Sequence, residues 1–156
     1  MGYTHSWRYR PGSADYAAAW PQILTDVTHL LGTLQGDAID LAGPQGYALP
    51  IIDPVDGIAF NGAVPEDYEC FDLDSPGPDR PVWRFCKTDR RPYDLAVTAV
   101  LLRCHQLLPG SFLIGSDGSW DRDWHAARGV VRECFGAVTG TDPLCDTTIG
   151  LFPPVH

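Results

Sequence analysis

An imidazole, a lone ammonium and several carboxylates stand at positions that strand alternation assigns to the interior of this chain. Residues two apart in a strand share a face, so YTHSWRY (residues 3–9) sets His5 among Tyr3, Trp7 and Tyr9. In VWRFCK (82–87) Lys87 falls on the side of Trp83 and Phe85, and in YECFDL (68–73) Glu69 falls with Phe71 and Leu73. Ser116 shares a face with Phe112 and Ile114. A charge buried without a partner is costly, so such groups pair with one another or border a solvent-filled hollow. Gathered together they could move protons. His5 would act as general base or acid, Glu69 or Asp94 would tune it, and Lys87 would hold an anionic group. Lys87 is the only lysine among 11 basic residues, which singles it out from the structural cations.

Tyr93 and Asp94 open a helix just after Lys87, and the free N–H groups at a helix start favour an anion. Arg80, Arg84, Lys87, Arg90 and Arg91 place five of the 11 basic side chains within residues 80–91, a local home for an anionic small molecule. Arg80 and Arg90 read as a solvated turn balancing nearby aspartates. The expected catalytic groups are therefore His5, Lys87, Glu69 and Asp94, with Trp7, Asn61, Arg91, Tyr93, Ser116 and Asp117 contacting substrate. Plainer readings stand beside these. Lys87 could neutralise Glu69 or Asp94 in a buried ion pair, and His5 could be a hydrogen-bonded core histidine. Asn61 before Gly62 has the look of a turn residue whose amide could donate to a ligand. Asp117-Gly118 reads as a tight turn. His105 and His125 lack a partner at ligand spacing, so no metal is expected, and no organic cofactor is implied. The G-x-S-x-G, Walker A, G-x-G-x-x-G and H-E-x-x-H patterns do not occur.

The elements that must position these groups follow from hydrophobic period. After the first strand, PGSADY supplies a turn and a candidate N-cap, Ser13. Ile23, Leu24, Val27, Leu30, Leu31 and Leu34 then form one helical face ended by Gly36, with Pro21 starting or bending the helix. Residues 37–57 are irregular, with room for a short strand at 39–41. GIAFNG, YECFDL and VWRFCK read as an antiparallel meander, with DSPGPDRP an exposed loop. Pro92 opens a second helix closed by Pro109-Gly110, and its run from Leu95 to Leu102 predicts cover on most sides. SFLIGSDG is a further strand, and Trp124, Ala127, Val131 and Phe135 mark a third helix ending at Gly136. The order β-α-β-β-β-α-β-α predicts an α+β fold, with a largely antiparallel sheet of about five strands and three helices on one face. Residues 1–136 form the expected single domain, and 137–156 an extended tail.

Composition narrows the class. A chain of 156 residues is most simply one domain with a real core. Its net charge of −9 repels phosphate backbones, so nucleic acid is not an expected partner. Five cysteines with no C-x-x-C pair suggest core thiols, neither a disulfide framework nor a zinc ribbon. Cys86, on the face opposite Lys87, reads as packed. The opening MGYTHSWRYR lacks the apolar run of a secretory signal, and no stretch is long enough to span a membrane. A cytoplasmic setting is expected.

MGYTHSW, FNG…YECF, FCKTDRRPYD and SDG…DW together resemble an uncharacterised family of small bacterial and phage proteins. Its members open with MGYTHYW and carry a CKT-x-R-x-PYD block. The similarity runs through residues 1–136 in the family's order. Ser6 stands where the family usually has a second aromatic, and the chain past Gly136 is additional. The resemblance implies a shared fold and brings no activity with it. The function expected from the residues is an acid–base enzyme acting on a phosphate- or carboxylate-bearing small molecule, in a pocket between the sheet and the second helix. The alternative is a non-catalytic module that binds a metabolite or a protein.

Overall fold

A computed structural model describes residues 2–136, 138 and 141–145. In chain order the elements are β1 (Thr4–Tyr9), α1 (Ala14–Gly36), β2 (Leu41–Ala42), β3 (Ile51–Asp53), β4 (Gly57–Gly62), β5 (Phe71–Leu73), β6 (Val82–Lys87), α2 (Asp94–Leu107), β7 (Leu113–Ser116), α3 (His125–Phe135) and β8 (Leu144–Cys145). The fold is α+β, and every strand pair except β7–β8 is antiparallel.

The strands form two sheets where the sequence suggests one. β1 lies between β6 and β7, with β8 beyond β7, in the order β6-β1-β7-β8. The second sheet is built on β4, which pairs with β2, β3 and β5. The expected meander therefore breaks after β5: the 74–81 loop carries the chain across to β1. Arg84 of β6 reaches back to Asp72 and Asp74, joining the sheets at their shared border.

Ser13 caps α1 as its position suggests, its Oγ accepting the Tyr16 N–H at 3.2 Å. Pro21 lies inside the helix, which runs on to Gly36. Tyr16, Trp20, Ile23, Val27, Leu30, Leu31 and Leu34 form its buried stripe. α2 is enclosed from Ala96 to Leu102, with α1 and α3 packed on it. One polar device in this layer has no sequence signature. Arg103 of α2 donates from Nε to Asp26 of α1 at 2.7 Å, and its guanidinium lies 4.1 Å from the ring centre of Phe135 on α3. Asp26 is 4% exposed and also accepts from Gln22, so the buried charge is paired and solvated by the protein.

β6 faces the other way from its hydrophobic pattern. Val82 and Cys86 are buried while Phe85 is 55% exposed, so Lys87 points outward with Phe85. Register explains this: His5 lies opposite Cys86 and Thr4 opposite Lys87, and directly opposed residues share a face. Once β1 buries His5, Trp7 and Tyr9, β6 must turn Cys86 and the following Thr88 inward. Trp83 and Phe85 are left against each other on the outer face, ring centres 6.1 Å apart.

Asn61 is likewise not a turn residue but a 2%-exposed member of β4. Its amide donates to the carbonyls of Pro44 and Tyr68, and its Oδ1 accepts from the N–H groups of Gly62 and Tyr68. All of its bonding capacity is spent clamping two loops. Gly57, at φ +90°, closes the β3–β4 hairpin where a Cβ would lie 2.5 Å from the Leu73 carbonyl oxygen. Replacing Asn61 with Ala strands four backbone groups and should lower stability by about 2–4 kcal/mol in urea unfolding. Phe85→Ser, on the outer face, should stay within about 0.5 kcal/mol.

Candidate functional site

The central position of β1 makes His5 a hub. Its neighbours across the ladders are Cys86 and Ser116, and the first residue of α2 comes down onto it. His5 Nε2 lies 2.7 Å from Asp94 Oδ1, and Nδ1 lies 2.8 Å from Ser116 Oγ. The Ser116 oxygen also accepts the Gly118 N–H at 2.9 Å and the Trp124 indole N–H at 3.0 Å. Those two groups can only donate, so they fill both lone pairs of the hydroxyl. The serine proton must then go to His5 Nδ1. This fixes the tautomer: Nδ1 accepts, and Nε2 carries the hydrogen that Asp94 receives. Thr88 Oγ1 donates to the same carboxylate oxygen.

The direction of the chain, Ser116 to His5 to Asp94, matches that of a nucleophile–base–acid relay. Two facts oppose that use. Both lone pairs of Ser116 are occupied, so its oxygen has nothing to offer an electrophile. The imidazole is 0% exposed, with both nitrogens bonded and the rings of Tyr3 and Trp124 edge-on at 5.0 and 5.5 Å. Solvent reaches the two ends of the chain, the Asp94 side chain being 18% exposed and Ser116 half-buried, but not the imidazole between them. The geometry is that of a tie between two strands, a helix start and the 88–91 turn.

Above this tie lies a hollow of about 620 Å³ bounded by Gly2, Tyr3, Asp89, Arg90 and Asp117. The Arg90 guanidinium lies 3.9 Å from the Tyr3 ring centre and donates from Nη1 to Asp123 at 3.0 Å. Asp117 Oδ2 accepts the Thr4 N–H at 3.0 Å. Asp89 and Arg90 sit at φ +52° and +59°, in a turn closed by Arg91 N–H on the Thr88 carbonyl at 3.0 Å. Two adjacent non-glycine residues in the left-handed region are strained, and the turn is held by Thr88 and Asp89 N–H groups donating to the Tyr3 carbonyl. The Tyr3 hydroxyl is buried against Gly118, where a Cβ would lie 2.0 Å from it. It is near enough to Ser116 to feel the serine, yet forms no well-shaped hydrogen bond. Burial, then Asp94 and Asp123, raises its pKa. A larger groove of about 710 Å³, between α1 and the end of α2, is lined largely by Ala18, Ala19, Leu107 and Pro109 and holds none of the inward polar groups.

Of the residues expected at a site, His5, Asp94, Ser116 and Asp117 converge here. The others do not. Lys87 lies along Gly2 with its ammonium 5.5 Å from the Tyr68 ring centre, on the outer side of β6. Glu69 is exposed, just before β5, and accepts the Lys87 backbone N–H at 2.7 Å. Tyr93 is 0% exposed and donates its hydroxyl to the Glu69 carbonyl at 2.6 Å. Trp7 is enclosed against Phe71. Arg91 pairs with Glu66 at 3.3 Å, and Asn61 is consumed by its loops. The start of α2 is occupied by Asp94 and its His5 and Thr88 partners, while the Lys87 ammonium lies toward Tyr68.

Tyr3, Thr88, Arg90, Asp123 and Trp124 belong to the site without having been read as such. Thr88 shares a face with Cys86, so the opposite face assignment for β6 concealed it. The buried thiols are unsuited to nucleophilic work: burial pushes Cys104 up to about 12 and Cys70 up to about 11, and also raises Cys86. Among the described residues no group of three or more His, Cys, Asp and Glu side chains could hold a metal ion, and no helix is long and apolar enough to cross a membrane. Comparison of the chain with family models, with curated proteins and with solved structures returns no match to any of them.

Ser116→Ala would leave the Trp124 and Gly118 N–H groups and His5 Nδ1 unpaired together. A loss of about 2–4 kcal/mol is expected in urea unfolding. The pKa of Asp123 is lowered by the Ser119 N–H first and by Arg90 second. Its contribution to stability is thus present above the ordinary carboxylate value and disappears as pH falls through the lowered one. Asp123→Asn should accordingly flatten part of the acid limb of a stability–pH curve.

Proposed function

We propose that this protein is a small-molecule-binding domain whose ligand sits over Tyr3, with an anionic group on Arg90. The observation that carries this reading is the state of Arg90. Its guanidinium is held over an aromatic ring at the wall of a polar hollow, and one hydrogen bond and ion pair, to Asp123, leave most of its five N–H donors uncommitted among the described residues. A carboxylate or phosphate oxygen is the natural acceptor. Asp89 and Asp117 on the rim favour a ligand that also bears a donor or positive group.

The resemblance noted in the sequence supports the same place. The motif MGYTHYW supplies Tyr3 and His5, and CKT-x-R-x-PYD supplies Thr88, Arg90 and Asp94, all of which meet at this site. The net charge of −9 argues against a nucleic-acid ligand, and five unpaired cysteines support a reducing, cytoplasmic setting. An acid–base enzyme is the second reading, favoured by the directional Ser116–His5–Asp94 chain beneath the hollow. It requires Tyr3 to swing aside and expose the imidazole.

Titration of the protein with acetate, glycine and inorganic phosphate, followed by amide NMR, tests the binding reading. At least one probe should saturate shifts at Tyr3, Arg90 and Asp117, and Arg90→Met should weaken it tenfold or more. Saturation untouched by Arg90→Met, or no saturation by any probe, rejects it. Conversion of a bound probe by the wild type and not by His5→Gln would favour the enzyme.

A further inference from the structure

We infer that Asp123 sets the charge that the hollow over Tyr3 accepts, restricting the group held on Arg90 to a single negative charge, as on a carboxylate. The inference rests on the reading of that hollow given above and narrows its ligand from carboxylate or phosphate to carboxylate. Asp123 divides its two oxygens. Oδ2 accepts the Ser119 N–H at 2.7 Å, and Oδ1 accepts from Arg90 Nη1 at 3.0 Å. The Asp123 N–H reaches back to Ser119 Oγ at 3.4 Å, so the carboxylate is anchored in its own turn while it holds the guanidinium. The Arg90 side chain is 62% exposed, and an arginine so open would otherwise sample many rotamers. Here the Tyr3 ring takes one face at 3.9 Å and Asp123 takes one nitrogen. Nε and Nη2 have no partner among the described residues. They remain as a planar fork of the kind that receives two oxygens side by side.

Shape does not choose between a carboxylate and a phosphate, since both offer two oxygens to such a fork. Charge does. Arg90 is the one cationic side chain among the residues bounding the hollow, and the ionised side chains beside it are Asp89 and Asp117. Asp117 bonds the neutral Thr4 N–H, and neither carboxylate has a cationic partner among the described residues. With Asp123, three carboxylates stand about one guanidinium. The first negative charge of a ligand is rewarded by hydrogen bonds to the fork. A second charge gains no further donor and meets the three carboxylates, whose repulsion acts across the hollow without contact. The Ser119 N–H, and after it Arg90, hold the pKa of Asp123 below its ordinary value, so that charge is present throughout the neutral range.

Acetate, methanesulfonate and sulfate separate shape from charge: a planar monoanion, a tetrahedral monoanion and a tetrahedral dianion. The full chain is titrated at low, matched ionic strength, with ¹H–¹⁵N NMR reading the Arg90 side-chain N–H. Acetate and methanesulfonate should each bind roughly tenfold or more tighter than sulfate, and the gap should shrink as sodium chloride is raised. Asp123→Asn keeps an oxygen for the Ser119 N–H and loses the charge, so it should narrow the gap about fivefold. Asp89→Asn, at a left-handed position that asparagine tolerates, should narrow it while leaving the Arg90–Asp123 contact in place. Three results overturn the inference and leave the reading of the hollow standing: sulfate binding on Arg90 as tightly as acetate, methanesulfonate grouping with sulfate, or a gap unmoved by salt and by Asp123→Asn. Failure of all three anions to saturate removes both. The wild-type series and its salt dependence decide the matter even where a variant does not fold.

Discussion

The arrangement of this molecule turns on a single oxygen. Ser116 Oγ receives two N–H groups, from Gly118 and Trp124, and gives its own hydrogen to His5. Because the two donors cannot reverse, every proton in the cluster has one direction, and the imidazole has one tautomer. The consequence spreads outward: Asp94 is required as the acceptor, which brings the first turn of α2 onto β1. Thr88 is required on the same carboxylate, which sets where β6 ends and how the 88–91 turn approaches Tyr3. A buried network satisfied at each member is rigid and specific, and one left half-satisfied is worse than none.

That same completeness separates the tie from the place where chemistry or binding could occur. An enclosed imidazole with both nitrogens engaged stabilises a fold. A guanidinium lying over Tyr3 at a solvent-filled edge can meet a ligand. The two are adjacent, since Tyr3 packs its ring edge-on against His5 while offering a face to Arg90. The tie is thus the foundation that fixes the Tyr3–Arg90 wall of the hollow.

Much of this was legible in the sequence, and the exceptions have a common cause. β1 announces itself because Tyr3, Trp7 and Tyr9 alternate with small or polar residues, and His5 follows from that alternation. α1 and α2 carry long, mostly apolar buried faces. β6 misleads because Trp83 and Phe85 outweigh Val82 and Cys86 in hydrophobicity, yet its face is dictated by the ladder with β1, some eighty residues away in sequence. Lys87 was drawn inward by the same inference, and Thr88 was hidden by it. Asn61 next to glycine has turn composition, and nothing local reveals that loops at Pro44 and Tyr68 will close around it. β2 and β8, two residues each, have no period to detect. The α2–α1 ion pair of Arg103 with Asp26 is a contact between distant residues on helix faces that a one-dimensional pattern treats as ordinary surface.

The placement of β1 has a kinetic side. It is the first strand in sequence and an inner one in space, and its two neighbours are β6 and β7. Neither ladder can zip until a long intervening stretch has been drawn in, and loop closure must be met before those contacts repay it. During that interval Trp7 and Tyr9 have no sheet to lie in. Residues that end as the driest part of the core begin as the stickiest part of a growing chain, and assembly speed should follow how soon the later strands arrive.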